Sequence, residues 1–197
     1  MGVPFVGLTG GLGAGKSEAL RMLGELGAAT LSTDAVVHEL LAEPEMRDLV
    51  SARLGDGVVS DGRLDRPAIA ERVFGDDEAR SWLEAQLWPR VGERVAAWRN
   101  GLEWADPPPR AAVVEVPLLF ESGMDGVFDR TITVVADEGL RRSRAGARGH
   151  TAVEERTGRQ LSQEQKAQKA DFTVRNDGSL EELRETLSRV LGKLEGP

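Results

Sequence analysis

The chain contains no cysteine and only two histidines, His38 and His150. Disulfide staples and thiolate metal sites are thereby excluded, and a histidine-rich metal centre has too few ligands to form. No apolar run approaches the ~20 residues that a membrane-spanning helix needs. The N-terminus lacks the basic region and long apolar stretch of a secretory leader. Met1-Gly2 opens like a myristoylation site, but Val6 stands where that motif requires Ser or Thr, so the reading fails. Basic residues are also in deficit, with 25 Lys plus Arg against 33 Asp plus Glu and a net charge of −8. A general nucleic-acid binder carries a basic footprint, so that class is excluded. One small polyanion held in a local basic pocket is not. The expectation is a soluble cytoplasmic protein, a monomer or weak homo-oligomer, with neither membrane nor nucleic acid as partner.

At 197 residues, 40% of them hydrophobic and 29% charged, the chain can bury one real core and still carry insertions. Apolar strands alternate with amphipathic helices, which signals an α/β fold with a parallel sheet. Strands are expected at about 4–9, 28–32 and 111–116, and within 130–137 and 169–176. A helix is expected from Ser17 to about Leu26, with Gly27 as its stop. From 35 to about 105 the sequence reads as mostly helical, with weak strand character only around GDGVVSDG, and WADPPPR breaks it. At the far end, Leu180, Leu183, Leu187 and Val190 or Leu191 recur at helical spacing and should pack on the sheet. The chain thus divides into a core (about 1–34, 107–137 and 170–197), a helical insertion (about 35–106) and a second insertion (about 138–169).

The stretch TGGLGAGKSEAL carries the strongest chemistry. Gly10, Gly15, Lys16 and Ser17 complete the pattern G-x-x-x-x-G-K-[ST] between a strand and a helix. Glycines there let backbone N–H groups surround phosphate oxygens, Lys16 reaches the β and γ phosphates, and the Ser17 hydroxyl is placed to ligate Mg²⁺. The helix that begins at Ser17 adds an N-terminus that favours anions, to which Glu18 offers mainly its backbone N–H. Such a loop does not name a reaction. The N-K-x-D and D-x-x-G motifs of GTPases are absent, and AAVVEV ends in Glu115 followed by Val-Pro, not in the Asp-Glu of a motor. Glu115 can help hold Mg²⁺ through water or can be a structural carboxylate; both readings stand.

Asp34 lies just past the second strand. There a carboxylate can accept the proton of an acceptor hydroxyl during in-line transfer, or cap the helix AVVHELL. Arg141, Arg144 and Arg148 recur at three and four residues on one helical face. They can close over triphosphate oxygens as a lid, with Gly146 and Gly149 as a hinge, or form a solvated face.

The chain resembles the dephospho-coenzyme A kinase family over almost its whole length. The resemblance rests on TGGLGAGKS, TDAVVHELL, GRLDRPAIAERVF, LEAQLWP, VEVPLLFESG and RTGRQLSQEQKAQKADFTVRNDGS. It implies a three-layer P-loop fold of the nucleoside-monophosphate-kinase kind, with a five-stranded parallel sheet, a helical acceptor-binding insertion and a lid. It also implies ATP as co-substrate, Mg²⁺, and phosphorylation of the ribose 3′-hydroxyl of dephospho-CoA. A kinase for another small alcohol or a nucleoside monophosphate, and an ATP-sensing regulator without turnover, are the competing readings.

Carried over by residue, the resemblance makes Asp34 the base, Lys16 and Arg144 catalytic partners, and Thr9, Asp34 and Arg66 acceptor contacts. Gly11, Gly13, Ala14, Gly15, Lys16, Ser17, Glu18, Arg148 and Asn176 become ATP contacts, with Ser17 on the metal; Arg156 and Gln160 match a further R-x-x-x-Q pair. Four positions depart from the family pattern. Ser32 stands for an Asp, His38 for an Arg, Trp88 for a His and Gly149 for an Asp. Trp88 is expected to pack against its surroundings.

Overall fold

The computed structural model describes residues 2–147 and 160–195. In chain order the elements are β1 (Phe5–Gly10), α1 (Lys16–Glu25), β2 (Ala29–Ser32), α2 (Thr33–Ala42), α3 (Pro44–Leu54), β3 (Val59–Ser60), β4 (Arg63–Leu64), α4 (Arg66–Val73) and α5 (Asp77–Gly101). They continue with β5 (Ala112–Glu115), β6 (Arg130–Val135), α6 (Glu138–Ala147), α7 (Gln163–Lys169), β7 (Phe172–Arg175) and α8 (Leu180–Leu194). Two compact units emerge, one made of 1–32 and 99–197, the other of 33–98.

In the first unit five strands form one sheet in the order β2-β5-β1-β6-β7, every pair parallel. β1 lies at the centre, and all six of its residues are buried. A strand covered on both faces reads as a continuous apolar run, not an alternating one, which is why FVGLTG carries no charge. Alternate residues still sort by face. Val6, Leu8, Val113, Ile132, Val134 and Val174 share a core with Ala19 and Leu23 of α1 and Leu183, Leu187 and Leu191 of α8. On the other face the ring of Phe5 stacks on Phe128, with centroids 4.6 Å apart. Since all five strands run the same way, Gly10, Ser32, Glu115, Val135 and Arg175 end at one edge, where open parallel sheets bind ligands.

α8 starts from a capping box in which Ser179 and Glu182 satisfy each other's backbone N–H groups. Its buried stripe is Leu183, Leu187, Val190, Leu191 and Leu194. Leu180 does not join it and is 60% exposed. As the first helical residue its side chain points back past the N-terminus, clear of the sheet, and Leu194 extends the stripe at the other end instead.

The second unit is helical apart from a two-stranded hairpin, β3–β4, in the GDGVVSDG region. Asp61 and Gly62 turn it with φ of 51° and 74°, the left-handed pair that suits a two-residue hairpin. Strands of two residues are too short for periodicity to show in sequence, so only the Asp-Gly pair signals them. α4 begins at Asp65, whose carboxylate accepts the Ala68 N–H at 3.2 Å. Met46, Val50, Leu54, Val58 and Ile69 are buried. Trp88, expected to pack, is instead 41% exposed on α5, one residue before the helix-internal Pro89.

Candidate active site

The loop from Gly10 to Lys16 joins β1 to α1 at the carboxyl edge of the sheet. Its path depends on left-handed backbone at Gly13 and Gly15, with φ of 72° and 96°. Any Cβ at Gly15 would collide with the Asn176 amide, and one at Gly13 with the backbone of Arg141, so glycine is required twice over. The Ala14 N–H donates to the Gly11 carbonyl at 3.2 Å, tightening the turn. The Lys16 ammonium donates to the same carbonyl at 3.2 Å, lying across the loop it serves. Ser17 is exposed in the first turn of α1, and Glu18 ion-pairs with Arg21.

Neighbouring elements hold this loop through side chains that reach its carbonyls. Asn176, buried just past β7, donates its amide to the Ala14 carbonyl at 2.8 Å. Arg144 donates to the Asn176 carbonyl at 3.0 Å, and Arg141 Nε donates to the Leu12 carbonyl at 2.9 Å. Arg141 and Arg144, read as one helical face, therefore meet the loop and the residue that supports it, not solvent. Arg148 and Arg156 lie outside the described residues. Thr9 is buried and gives its hydroxyl to the Pro117 carbonyl at 3.1 Å, so it shapes the end of β1. Glu115 is buried at the end of β5, in register with Leu8 on one side and Ser32 on the other.

Oxygen donors of the kind Mg²⁺ takes stand at the carboxyl edge of the sheet, in the Ser17 hydroxyl at the start of α1 and the Glu115 carboxylate at the end of β5. Among the described residues no group of three or more acidic or histidine side chains forms a metal cage. That donor set fits Mg²⁺, which is usually bound by one or two protein oxygens plus substrate phosphates.

In the second unit, Asp34 sits exposed in the first turn of α2, two residues beyond the end of β2. It lies inside the helix, not at the capping position the sequence allowed. His38 follows four residues later, on the same helical face. His38 also lines a cavity of about 300 Å³ with Leu41, Arg47, Arg63, Leu64 and Arg66. One histidine and three arginines therefore line one small cavity in an acidic protein, Arg47 among them paired with Asp48 at 2.7 Å. Of these three arginines, sequence reasoning found Arg66. Arg47 and Arg63 escaped it because the hairpin that brings them together was too short to recognise.

Other residues were missed for a different reason: they act on backbone. Gln163 both accepts the Ala136 N–H at 3.0 Å and donates to the Ala136 carbonyl at 2.9 Å. Asp171 accepts the Thr131 N–H at 2.7 Å and its hydroxyl at 2.8 Å. These residues of the QEQKAQKAD run pin the ends of β6, which gives that run a physical reason.

Asp177 accepts the Asp137 N–H at 2.5 Å. That bond first, and Arg175 and Arg144 after it, lower its pKa below the ordinary 3.8. A lowered folded-state value means stability is present above pH 3.8 and is lost as pH falls through the lowered value. Melting curves of the wild type and Asp177→Asn should therefore differ at neutral pH and converge as the pH drops below the carboxylate range. Curves that stay parallel throughout would contradict this assignment.

A family model described as dephospho-CoA kinase matches residues 4–182. A dephospho-CoA kinase of Deinococcus radiodurans is 38% identical over 198 aligned positions, covering 96% of this chain and 92% of that protein. Among solved structures, one from Thermus thermophilus superposes with a TM-score of 0.79 at 34% identity, covering all of both chains. A dephospho-CoA kinase from Campylobacter jejuni superposes with a TM-score of 0.70 at 25% identity, over 97% of this chain and 96% of that one.

Proposed function

We infer the activity from family membership: the chain belongs to the dephospho-CoA kinase family, and it transfers the γ-phosphoryl group of ATP to the ribose 3′-hydroxyl of dephospho-CoA, giving coenzyme A and ADP. The observation that carries this reading is a family match running from 4 to 182, through both the phosphate loop and the arginine-lined cavity. On the donor side, the N–H groups from Gly13 to Glu18 surround the β and γ phosphates of ATP, and Lys16 neutralises the charge that builds between them. Ser17, and Glu115 through water, would hold Mg²⁺, which when bound screens the phosphate oxygens. Arg144 adds positive charge beside the transferring group.

On the acceptor side, Asp34 accepts the hydroxyl proton as the oxygen attacks phosphorus in line. The spacing on α2 supports this acceptor. His38 lies about 6 Å along the helix from Asp34, a span matching that from a ribose 3′-hydroxyl to the 5′-diphosphate of the same nucleotide. The diphosphate then occupies the cavity, against Arg63 and Arg66. Arg66→Ala should raise KM for dephospho-CoA about tenfold, with KM for ATP unchanged, in steady-state kinetics. An equal rise in both KM values would remove the cavity from the acceptor site.

Among the described residues no helix is long and apolar enough to cross a membrane. A cysteine-free chain that uses ATP suits the cytoplasm, where we place it. A coupled ADP-release assay over dephospho-CoA, nucleoside monophosphates and small alcohols tests the activity, with Mg²⁺ omitted as a control. Mg²⁺-dependent turnover with dephospho-CoA is expected. Turnover with another acceptor but none with dephospho-CoA would overturn the assignment.

A further inference from the structure

Within the first unit, an ion pair lies behind the strand ends and takes no part in the chemistry above. Lys166 of α7 is 1% exposed and Glu121 is 9% exposed, with Nζ and Oε1 3.0 Å apart. Lys166 also donates to the Pro117 carbonyl at 2.7 Å, the same oxygen that accepts the Thr9 hydroxyl at 3.1 Å. Glu121 Oε1 accepts the Leu161 N–H at 2.9 Å, while its Oε2 is buried with no hydrogen-bond partner among the described residues.

Stability alone does not explain this pair. Two charges removed from water lose more in desolvation than their attraction commonly returns, and an apolar pair of similar volume often serves the fold as well or better. The unpartnered Oε2 makes that balance worse. What the pair does provide is placement. Pro117 comes two residues after Glu115 at the end of β5, and Thr9 comes immediately before Gly10 at the start of the phosphate loop. One ammonium therefore joins the ends of two adjacent strands through a single carbonyl. An apolar side chain could fill the space but could not hold that oxygen.

We propose that Lys166, held in place by Glu121, is a positioning residue for phosphoryl transfer: it sets the Pro117 carbonyl, and through it the register between the phosphate loop and Glu115. It touches neither nucleotide nor acceptor. Its contribution appears in the chemical step, because displacement of reacting groups by about 1 Å costs up to ~10²-fold in rate. The proposal rests on the kinase reading, and wild-type turnover with dephospho-CoA is the control that separates the two.

The test is the double variant Glu121→Gln/Lys166→Met. The introduced amide oxygen would still accept the Leu161 N–H, and no buried charge is left unpaired, so the melting temperature should stay near that of the wild type. kcat should fall roughly 10- to 100-fold with both KM values changed less than about threefold. Glu121→Gln alone keeps the Lys166 donor on Pro117; it should lower the melting temperature more than the double variant yet retain kcat within about threefold. A folded double variant with wild-type kcat overturns the proposal. So does a single variant that stays folded yet loses kcat by more than about tenfold, a criterion that stands even should the double fail to fold. A wild type inactive on dephospho-CoA would instead remove the kinase reading.

Discussion

Replacing Asp34 by asparagine is expected to lower kcat about 10²- to 10⁴-fold, the range for loss of a general base. The substitution preserves size and the ability to accept a hydrogen bond, so the exposed first turn of α2 has no packing to lose. A carboxylate in that turn also interacts with the helix dipole, which is worth about 0.3 to 1 kcal/mol at an exposed site. The two roles therefore separate by magnitude and by readout. A base gives a rate collapse with a small shift in melting temperature, whereas a helix-terminal charge gives the small shift with kcat intact. Steady-state kinetics beside thermal denaturation decides between them, and an Asp34→Asn enzyme within about threefold of wild-type kcat would remove Asp34 from the mechanism.

Lys16→Ala should reduce kcat roughly 10²- to 10³-fold, the cost of removing one preorganised donor from a developing negative charge. Loop architecture gives this variant a clean interpretation. Lys16→Ala removes the ammonium's own bond to the Gly11 carbonyl, but the turn keeps the Ala14 N–H on that carbonyl, Asn176 on Ala14 and Arg141 on Leu12. The loop should keep its shape, and ADP should bind with modest loss, since the backbone N–H groups remain. Single-turnover measurement of the chemical step, with ADP affinity by calorimetry, checks both halves. Retained chemistry at saturating ATP would mean that Lys16 does not act on the transferring phosphate.

Much of this could be read before folding. The phosphate loop is a local object, one strand, one turn and one helix start, so a short run of consecutive residues specifies it. β1, β5 and β6 were visible as apolar runs because burial excludes charge from most of their length, while the edge strands β2 and β7 are only partly buried and gave a weaker signal. Asp34 was found because it follows closely on β2. The short hairpin β3–β4 was almost invisible for the opposite reason, since two-residue strands leave no periodicity, and Arg47 and Arg63 of the cavity were hidden with it.

The partner of Arg141, and the roles of Gln163, Asp171, Glu121 and Lys166, were hidden differently. Each of these residues looks like a surface residue by type, and each is committed to a backbone group or charge distant in sequence. Lys166 meets the Pro117 carbonyl across 49 residues, and Arg141 meets Leu12 across 129. The sequence by itself determined what the chain holds, a phosphate-binding loop on a parallel sheet with a carboxylate after the second strand, because those features arise from neighbours in the chain. Only the tertiary structure decided which polar side chains brace that loop and which arginines gather into one cavity. Hydrogen bonds and charge clusters between distant segments exist only once the strands have been placed side by side.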